Sequence, residues 1–515
     1  MIVLKAGIVK TYCMKSIDNN VHLDHNNSGD YMLMGIDLGT SSLKVMVADE
    51  QGTIAAQTAQ TYQFDQPFPG YAEQNPAMWW EALKSALHEV FSTDTFSASS
   101  IRALSFSGQM HGAVLMDKNY SVLRPVILHC DARSSDQADT LKNQPYAALR
   151  YNPSYTGFLL NSLLWVREHE PGIFSRIRYV CLPKDYLKLK LSGTLNTDYS
   201  DASGTLAFDV AQVQWDKELL TFLGIDETIF PHCLPLTAPS GTVTKQAAVE
   251  TGLAEGTAVI TGGADQVMQA IGNGAIHPGQ ATVNIGSSGQ VCFQSATALL
   301  NPTRSTNTFC AYNKNAWITM GATMTAGLAL KWFAQSCSGL SYRDIDSQIE
   351  DVEPGSGGVV FIPYLNGERT PFMNPHLRAA FFGLNLRTAT AHLARAVMEG
   401  VSFSLYDCIK VCENLGLKVH ELIASGGGAR SRVWLQIQAD VYGLPLKTTQ
   451  TEEQACTGAL IAAGVGSGLF TSLEEACKII VKYKEKQCIP DGTRHGIYRE
   501  CYSVYKQYAM AIAGK

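Results

Sequence analysis

The sequence predicts an α/β protein made of two related domains with a cleft between them. Strand-like and helix-like segments alternate, as in the strand IRALSFSG (101–108) and the helices QNPAMWWEALKSALHEVF (74–91) and ELLTFLGI (218–225). This alternation is typical of sheets covered by helices. At 515 residues the chain is also too long for a single hydrophobic core.

A strand–turn–strand pattern occurs twice, as GIDLGTSSLKVMVAD (35–49) and ATVNIGSSGQVCFQS (281–295). The two copies lie about 250 residues apart, far beyond the period of a solenoid repeat. The recurrence therefore predicts one duplicated domain. Polar loops from both halves are expected to face the cleft.

The composition is that of a globular protein, with 46% hydrophobic and 17% charged residues. The net charge of -6 and the pI near 6.1 exclude the basic surface that is typical of nucleic-acid binding. A phosphate ligand would then be held by local backbone dipoles and a metal ion. The sequence has no apolar stretch of 18 or more residues, so no membrane span is predicted.

The 13 cysteines include no CxxC pair, which favours a reducing cytoplasm. Cys408 and Cys412 share a spacing that would place them on one helix face, and we interpret them as small apolar residues instead of metal ligands. Residues 1–31 lack a clear signal-peptide pattern and are predicted to form a loose extension. Met32 and Met34 are alternative start positions.

Asp37 stands in the first strand of the first hairpin, where an acid is unfavourable for strand stability. Gly39, Thr40 and Ser41 follow it at the tip. Glycine there allows backbone N–H groups to converge on an anion, and Asp37 is suited to hold Mg²⁺ through water. A plain hairpin turn is the alternative.

The second hairpin supports the ligand interpretation of the first. Asn284 and Gly286 stand where Asp37 and Gly39 stood, and Ser287 follows. A third glycine segment, Gly426 to Gly428, lies between a predicted strand and a predicted helix. Bare glycines at a helix start suit phosphate or a nucleotide, although the spacing is not that of a dinucleotide fingerprint or a P-loop.

Asp265 lies in GGADQ, at the end of a predicted strand and the start of a helix. Two roles are open for it: an N-cap for the helix, or a general base that accepts a proton from a substrate hydroxyl. Gln109, Met110 and His111 form a loop between two apolar strands. His111 is placed to orient sugar hydroxyls, with a structural histidine as the alternative. A further turn-rich loop, residues 363–375, holds Glu368 and Arg369.

Six segments together resemble the FGGY carbohydrate kinases of the actin-like ATPase superfamily, over residues 32–469. They are GIDLGTSSLK, SGQMHGAVL, PKDY…SDASGTLAFD, GGADQ, GERTP…AFFGLNL and SGGGARSRVW. The resemblance implies two ribonuclease-H-like domains, an N-terminal sugar-binding domain at 32–276 and a C-terminal nucleotide-binding domain at 277–515. It also implies ATP and Mg²⁺, transfer of a phosphoryl group to the terminal O5 of a ketopentose, and a homodimer.

The resemblance also implies roles for single residues. Asp265 corresponds to the proton acceptor, Met110 and His111 to a substrate-contacting pair beside Gln109, and Asp37 to an acid near the metal. The implied nucleotide-binding positions are Gly39, Thr40, Ser41, Gly286, Ser287, Gly427 and Gly428. Two alternatives are a kinase of another sugar, such as ribulose, gluconate or another polyol, and an actin-like nucleotide-binding protein without kinase activity.

Several positions depart from the family pattern. Ser162 stands where a lysine is common, and Leu159 and Asn161 replace threonine and proline. His129 and Cys130 replace Trp-Asn. The departures bear on the identity of the sugar, since the proposed base and the glycine loops are intact.

Overall fold

The computed structural model describes residues 31–93 and 95–514, so the predicted extension at 1–31 lies almost wholly outside the described residues. Within the described part of the chain the helices, α1 to α16 in chain order, are Pro76–Phe91, Ser135–Leu141, Leu159–His169, Pro171–Phe174, Pro183–Ser192, Tyr199–Ser203, Lys217–Phe222, Lys245–Thr251, Asp265–Gly272, Gly327–Trp332, Tyr342–Ile349, Thr390–Asn414, Arg432–Tyr442, Gln454–Gly466, Leu473–Ile480 and Gly492–Ile512. None of these described helices is both long enough and apolar enough to cross a bilayer.

The strands of the same ranges, β1 to β23 in chain order, are Met32–Leu38, Ser42–Asp49, Ile54–Thr61, Glu73–Gln74, Ile101–Gly108, Val114–Met116, Val126–Ile127, Tyr179–Cys181, Thr197–Asp198, Phe208–Asp209, Gln214–Trp215, Cys233–Leu234, Pro239–Thr242, Ala258–Ile260, Gly263–Ala264, Gln280–Ile285, Gly289–Ser295, Asn307–Cys310, Trp317–Thr323, Val360–Ile362, Ala380–Phe382, Glu421–Ser425 and Leu446–Thr448.

Two large sheets confirm the α/β prediction. The first has the order β13-β14-β5-β1-β2-β3, with β15 also paired to β5, and the second has the order β18-β19-β17-β16-β22-β23. In each sheet the predicted hairpin is antiparallel, β1 with β2 and β16 with β17. The first strand of each hairpin then runs parallel to a later strand, β5 or β22. The two halves therefore repeat one arrangement, as a duplicated domain would.

The predicted helix 74–91 begins at Pro76, because the Asn75 side chain accepts a hydrogen bond from the Ala77 N–H and caps it. The predicted helix 218–225 is shorter, at Lys217–Phe222. Cys408 and Cys412 are fully buried on α12 in the core of the second half, as small apolar residues would be.

Helix α14 lies late in the chain but packs against β1, β5 and α9 of the first sheet. Small residues make this contact close. A Cβ on Gly458 would lie 2.0 Å from the Met268 carbonyl oxygen, and one on Gly272 would lie 1.8 Å from that of Gln454. Glycine at both positions is therefore a packing requirement, and it ties α9, which begins at Asp265, to the second half of the sequence.

Candidate active site

Asp37 and Asp265 come together because three strands end at one edge of the first sheet. Strand β1 runs parallel to β5 with Asp37 opposite Ser107, and β15 also runs parallel to β5 with Gly263 opposite Ser107. The carboxyl ends of parallel strands share an edge, so the acid at the end of β1 and the acid just after β15 face the same space.

The two carboxyl groups form an electrostatic pair, and the positive charge that acts on Asp37 is that of Lys44, opposite it in the first hairpin. The Ser107 hydroxyl donates to Asp37 Oδ1 at 2.7 Å. Burial raises the pKa of Asp37, and burial together with the negative charge of Asp37 raises the pKa of Asp265 to about 7. Within the described residues, no lysine or arginine forms an ion pair with either acid. Such a pair suits a bound cation and a proton acceptor that works near neutral pH.

The N-cap interpretation of Asp265 is wrong. The N-cap of α9 is Ala264, which has extended backbone angles, and Asp265 is the first residue of the helix. Its carboxylate therefore does not accept the capping hydrogen bond that an N-cap side chain would. The side chain is partly exposed and next to Asp37, which leaves it available for chemistry.

His111 is held as a neutral imidazole. Its Nδ1 lies 2.6 Å from the Gly204 carbonyl oxygen, and because a carbonyl can only accept, Nδ1 carries the proton. Burial lowers the pKa of His111 to about 3, so Nε2 is an unprotonated acceptor for a hydroxyl. The ring stacks on Phe158 with centroids 4.0 Å apart, and the backbone has a positive φ of 71°.

The other two residues of the predicted sugar loop are more enclosed. Met110 is 5% exposed and is part of the core near Gly204. Gln109 is 2% exposed, and its amide is engaged at both ends: it accepts from the Thr40 hydroxyl at 3.1 Å and donates to Gln74 at 3.2 Å. Gln109 therefore braces the tip of the first hairpin.

The second half contributes Phe309, which the sequence did not single out, and Arg369 from the turn-rich loop 363–375 that was expected to face the cleft. The Phe309 ring lies 6.2 Å from the His111 ring, and the Arg369 guanidinium lies 5.9 Å from the Tyr155 ring. The charge of Arg369 also lowers the pKa of His111 and of His129. Residues of both halves thus surround His111, as a sugar pocket between two domains requires.

Glu368 fixes the loop that carries Arg369. It is 2% exposed and accepts the Met324 N–H at 2.8 Å, the Arg369 N–H at 2.7 Å and the Ser404 hydroxyl at 2.9 Å. Two of these bonds join the loop to the residue after β19 and to α12, and the third lies within the loop. The sequence signal for this role was a lone acid and base in a long turn-rich loop, which does not specify a partner.

A cavity of about 180 Å³ lies where the glycine segment of the second half meets the first hairpin. Its lining residues include Lys44, Ser425, Gly426, Gly427, Thr449, Glu452 and Glu453. Gly426 has a φ of 77°, and a Cβ there would lie 2.3 Å from Asn284 Oδ1, so the fold itself demands this glycine.

The remaining predicted glycines differ in what the fold requires of them. A Cβ on Gly428 would lie 2.6 Å from the Ile285 Cβ, so Gly428 is a packing position. The nearest atom to a Cβ on Gly286 would lie 3.6 Å away, and the nearest atom to a Cβ on Gly427 would lie 3.8 Å away. Neither has a positive φ, so the protein alone does not explain why these two residues are glycine. The close approach of a ligand would explain it.

The hairpin tips are held for such an approach. The Gly39 carbonyl accepts the Tyr62 hydroxyl at 2.7 Å, and exposed Ser41 follows it at the first tip. At the second tip, the carbonyls of Gly286 and Ser287 accept N–H groups at the start of α10. Lys44, which the sequence did not single out, lies on β2 of the first hairpin and lines the cavity.

Two similar α/β halves, an acidic pair at a shared sheet edge and a cavity lined by a glycine segment define a two-domain phosphotransferase. Family models described as the N-terminal and C-terminal domains of the FGGY family of carbohydrate kinases match residues 32–272 and 281–467. The chain belongs to the FGGY family of carbohydrate kinases, and it is a carbohydrate kinase that uses ATP.

Characterised relatives resemble the chain over nearly its full length. A xylulose kinase of Staphylococcus epidermidis is 36% identical over 476 residues, covering 92% of this chain and 96% of that protein. A crystal structure of a xyloylose kinase from Brucella ovis is 32% identical, with a TM-score of 0.88 over 94% of this chain and all of the other. A gluconate kinase structure from Lactobacillus acidophilus is 25% identical, with a TM-score of 0.89 over 94% and 99%.

Proposed function

We propose that the protein transfers the γ-phosphoryl group of ATP to O5 of D-xylulose, forming D-xylulose 5-phosphate. The observation that carries the proposal is the pair of Asp37 and Asp265 at one sheet edge, with Asp265 at a pKa of about 7. The xylulose kinases among the relatives support the choice of sugar.

Asp265 acts as the general base. It accepts the proton of the sugar hydroxyl as the oxygen attacks the γ-phosphorus. Because phosphoryl transfer has a loose transition state, this transfer comes late, and positioning and charge stabilisation supply most of the rate. The base contributes about 10²–10⁴-fold.

Asp37 would hold Mg²⁺. The fit rests on two acids without an ion-pair partner among the described residues, and Mg²⁺ takes one or two carboxylates and keeps much of its water shell. Bound Mg²⁺ neutralises phosphate charge. Backbone N–H groups at Ser41, Gly286 and Gly427 approach the nucleotide, while Gly39 donates its own N–H to the Ser42 carbonyl at 2.9 Å and shapes the tip. The Lys44 ammonium supplies a positive charge beside the cavity.

His111 binds the sugar. Its Nε2 accepts a hydrogen bond from a sugar hydroxyl, since Nδ1 is occupied by the Gly204 carbonyl. Met110 and the His111 ring both lie against Gly204, and the Phe158 ring packs on the His111 ring. Gln109 acts indirectly, by holding Thr40 at the tip of the first hairpin.

Gluconate is the second candidate substrate, and one observation favours it. Arg369 is exposed beside Tyr155 and forms no ion pair among the described residues, so its guanidinium is available to a carboxylate. The departure at His129 lies in the same region, since the charge of Arg369 lowers the pKa of His129. A related gluconate kinase has the same fold.

The remaining parts of the proposal concern organisation. We place the sugar-binding domain at 32–276 and the nucleotide-binding domain at 277–515, with α14 returning to the first sheet, and 1–31 as an extension. A homodimer is proposed from family resemblance. A cytoplasmic location is proposed from the unpaired pattern of cysteines.

A coupled ADP-release assay tests the proposal, with D-xylulose, D-ribulose, D-gluconate and glycerol as separate substrates. The expected result is the highest kcat/KM for D-xylulose and no sugar-stimulated ADP release without Mg²⁺. A higher kcat/KM for gluconate, lost in Arg369→Met, would establish the second candidate. Tight ATP binding without turnover of any sugar would instead identify a nucleotide-binding protein without kinase activity.

A further inference from the structure

A cluster of charged side chains is completely buried behind the candidate active site. The Lys184 ammonium lies 2.8 Å from each of three carboxylates, those of Asp185, Asp198 and Asp201. Lys188 lies 3.1 Å from Asp185. All five side chains have no exposed surface. Burying several charges is costly, so a cluster of this kind calls for an explanation beyond stability.

The cluster leads directly to the backbone that carries Asp265. Asp198 Oδ1 contacts Lys184, while its Oδ2 accepts both the Ser200 hydroxyl and the Ser200 N–H. Because the Ser200 hydroxyl donates its only proton to Asp198, its oxygen is oriented as an acceptor. It accepts the N–H of Ala264 at 2.9 Å. Ala264 is the residue immediately before Asp265.

The same short helix also reaches the sugar loop. Helix α6 contains Ser200, and the residue just after it, Gly204, presents the carbonyl that fixes the His111 tautomer at 2.6 Å. The helix thus contacts the base side of the site through Ser200 and the sugar side through Gly204. Lys184 is also next to Gly108, the last residue of β5: a Cβ there would lie 2.7 Å from the Lys184 Cβ.

We propose that Ser200, held by Asp198 and Lys184, is a positioning residue that sets the backbone of Ala264 and so the placement of Asp265. This inference rests on the proposed role of Asp265 as the base. Ser200 touches no reacting atom and acts only through Asp265. Catalytic groups need to be held to within a fraction of an ångström, which is what a buried, fully oriented hydrogen-bond chain provides.

The test compares Ser200→Ala with Ser203→Ala. Ser203 is a matched control on the same helix: it is 1% exposed, accepts the Cys310 N–H at 3.1 Å and donates to the Ser200 carbonyl at 2.6 Å. Each variant therefore removes a buried hydroxyl that accepts one N–H and donates one bond. Similar losses in Tm are expected for the two variants.

Only Ser200→Ala is expected to lower kcat, by about 10-fold or more, with KM for sugar and for ATP within about 2-fold of wild type. Ser200→Cys is a second variant that retains side-chain volume but replaces the oxygen with a weak acceptor. It is expected to lower kcat in the same way and keeps the test valid if Ser200→Ala does not fold.

Asp265→Asn, measured in parallel, distinguishes the base role of Asp265 from the positioning role of Ser200. If Asp265→Asn is slow and Ser200→Ala has wild-type kcat, the positioning role is overturned and the base role stands. The same conclusion follows if Asp265→Asn is slow and Ser200→Ala and Ser203→Ala lower kcat equally. If Asp265→Asn turns over normally, the base role fails and the positioning role fails with it. Slow Asp265→Asn and slow Ser200→Ala, with wild-type kcat in Ser203→Ala, supports both.

Discussion

The Lys44 ammonium lies 2.5 Å from the Glu453 carboxylate, an ion pair between the first hairpin and the residue that precedes α14. The side chains are 30% and 24% exposed, and both line the cavity that contains Gly427. Burial is the main cause that raises the pKa of Asp37, while the charge of Lys44 lowers this pKa and the charge of Glu453 raises it by smaller effects. The pair therefore places a fixed cation between the acids of the first half and the proposed nucleotide site of the second.

Lys44→Met is expected to raise KM for ATP by about 10-fold or more, because a charge-assisted contact to phosphate is worth about 1.5–3 kcal/mol. KM for the sugar is expected to change by less than about 2-fold. Lys217→Met is the control, since Lys217 also forms an ion pair, with Glu227 at 2.9 Å, but on the surface. Steady-state kinetics with each substrate varied provide the measurement, and equal changes in both KM values would contradict the assignment.

Asp265→Asn is expected to lower kcat by at least about 10²-fold while both substrates still bind. Since Asp265 is not the N-cap and burial disfavours its charge, the Asn variant should be at least as stable as wild type at pH 8. Thermal unfolding and turnover, measured on the same preparations, check both statements. A stable variant with near-normal turnover would remove Asp265 from the mechanism.

The sequence predicted both hairpins because glycine and serine turns between apolar strands are local signals. It did not reveal that Asp37 and Asp265 share an edge, since this depends on both β1 and β15 pairing with β5. Those pairings join segments far apart in the chain. Local chemistry is readable from sequence, but the convergence of distant loops is a property of sheet topology.

Two further features show the same limit. Asp265 was equally compatible with an N-cap, and only the extended backbone of Ala264 moves the helix start by one residue. Arg369 approaches Tyr155 across the two halves of the chain. Neither residue carries a local pattern that names its partner, so the sequence placed the loop of Arg369 at the cleft but did not predict its contact with Tyr155.

Gly427→Ala is expected to weaken ATP binding without loss of stability. The residue lacks a positive φ and has no neighbour within 3.8 Å of a Cβ, so alanine is compatible with the fold and even reduces the entropy of the unfolded chain. Gly426→Ala is expected to lose stability, because its Cβ would lie 2.3 Å from Asn284 Oδ1 at a φ of 77°. Thermal unfolding and ATP titration by calorimetry distinguish the two.

Gly416→Ala separates backbone strain from steric overlap in this comparison. Gly416 has a φ of 89° but no atom within 4 Å of a Cβ. The free energy of unfolding of Gly416→Ala should therefore fall only by the conformational cost, about 1–2 kcal/mol, which is less than the fall expected for Gly426→Ala. Unchanged ATP affinity in Gly427→Ala would show that this glycine does not approach the nucleotide.

The last prediction concerns the pH dependence of stability at His111. Burial lowers its pKa from 6.5 to about 3, so between these values the unfolded chain binds more protons at this position than the folded protein. Stability from the neutral ring is fully present above pH 6.5 and is lost as the pH falls toward 3.

His111→Gln keeps a donor for the Gly204 carbonyl and an acceptor for the sugar but does not titrate. The Tm of wild type should therefore fall relative to the Tm of His111→Gln as the pH is lowered from 8 to 5. Because the ring is neutral from pH 5 to 8, His111 itself should cause no change in KM for the sugar over that range. A difference in Tm between wild type and His111→Gln that is independent of pH would show that His111 is not held neutral in the folded protein.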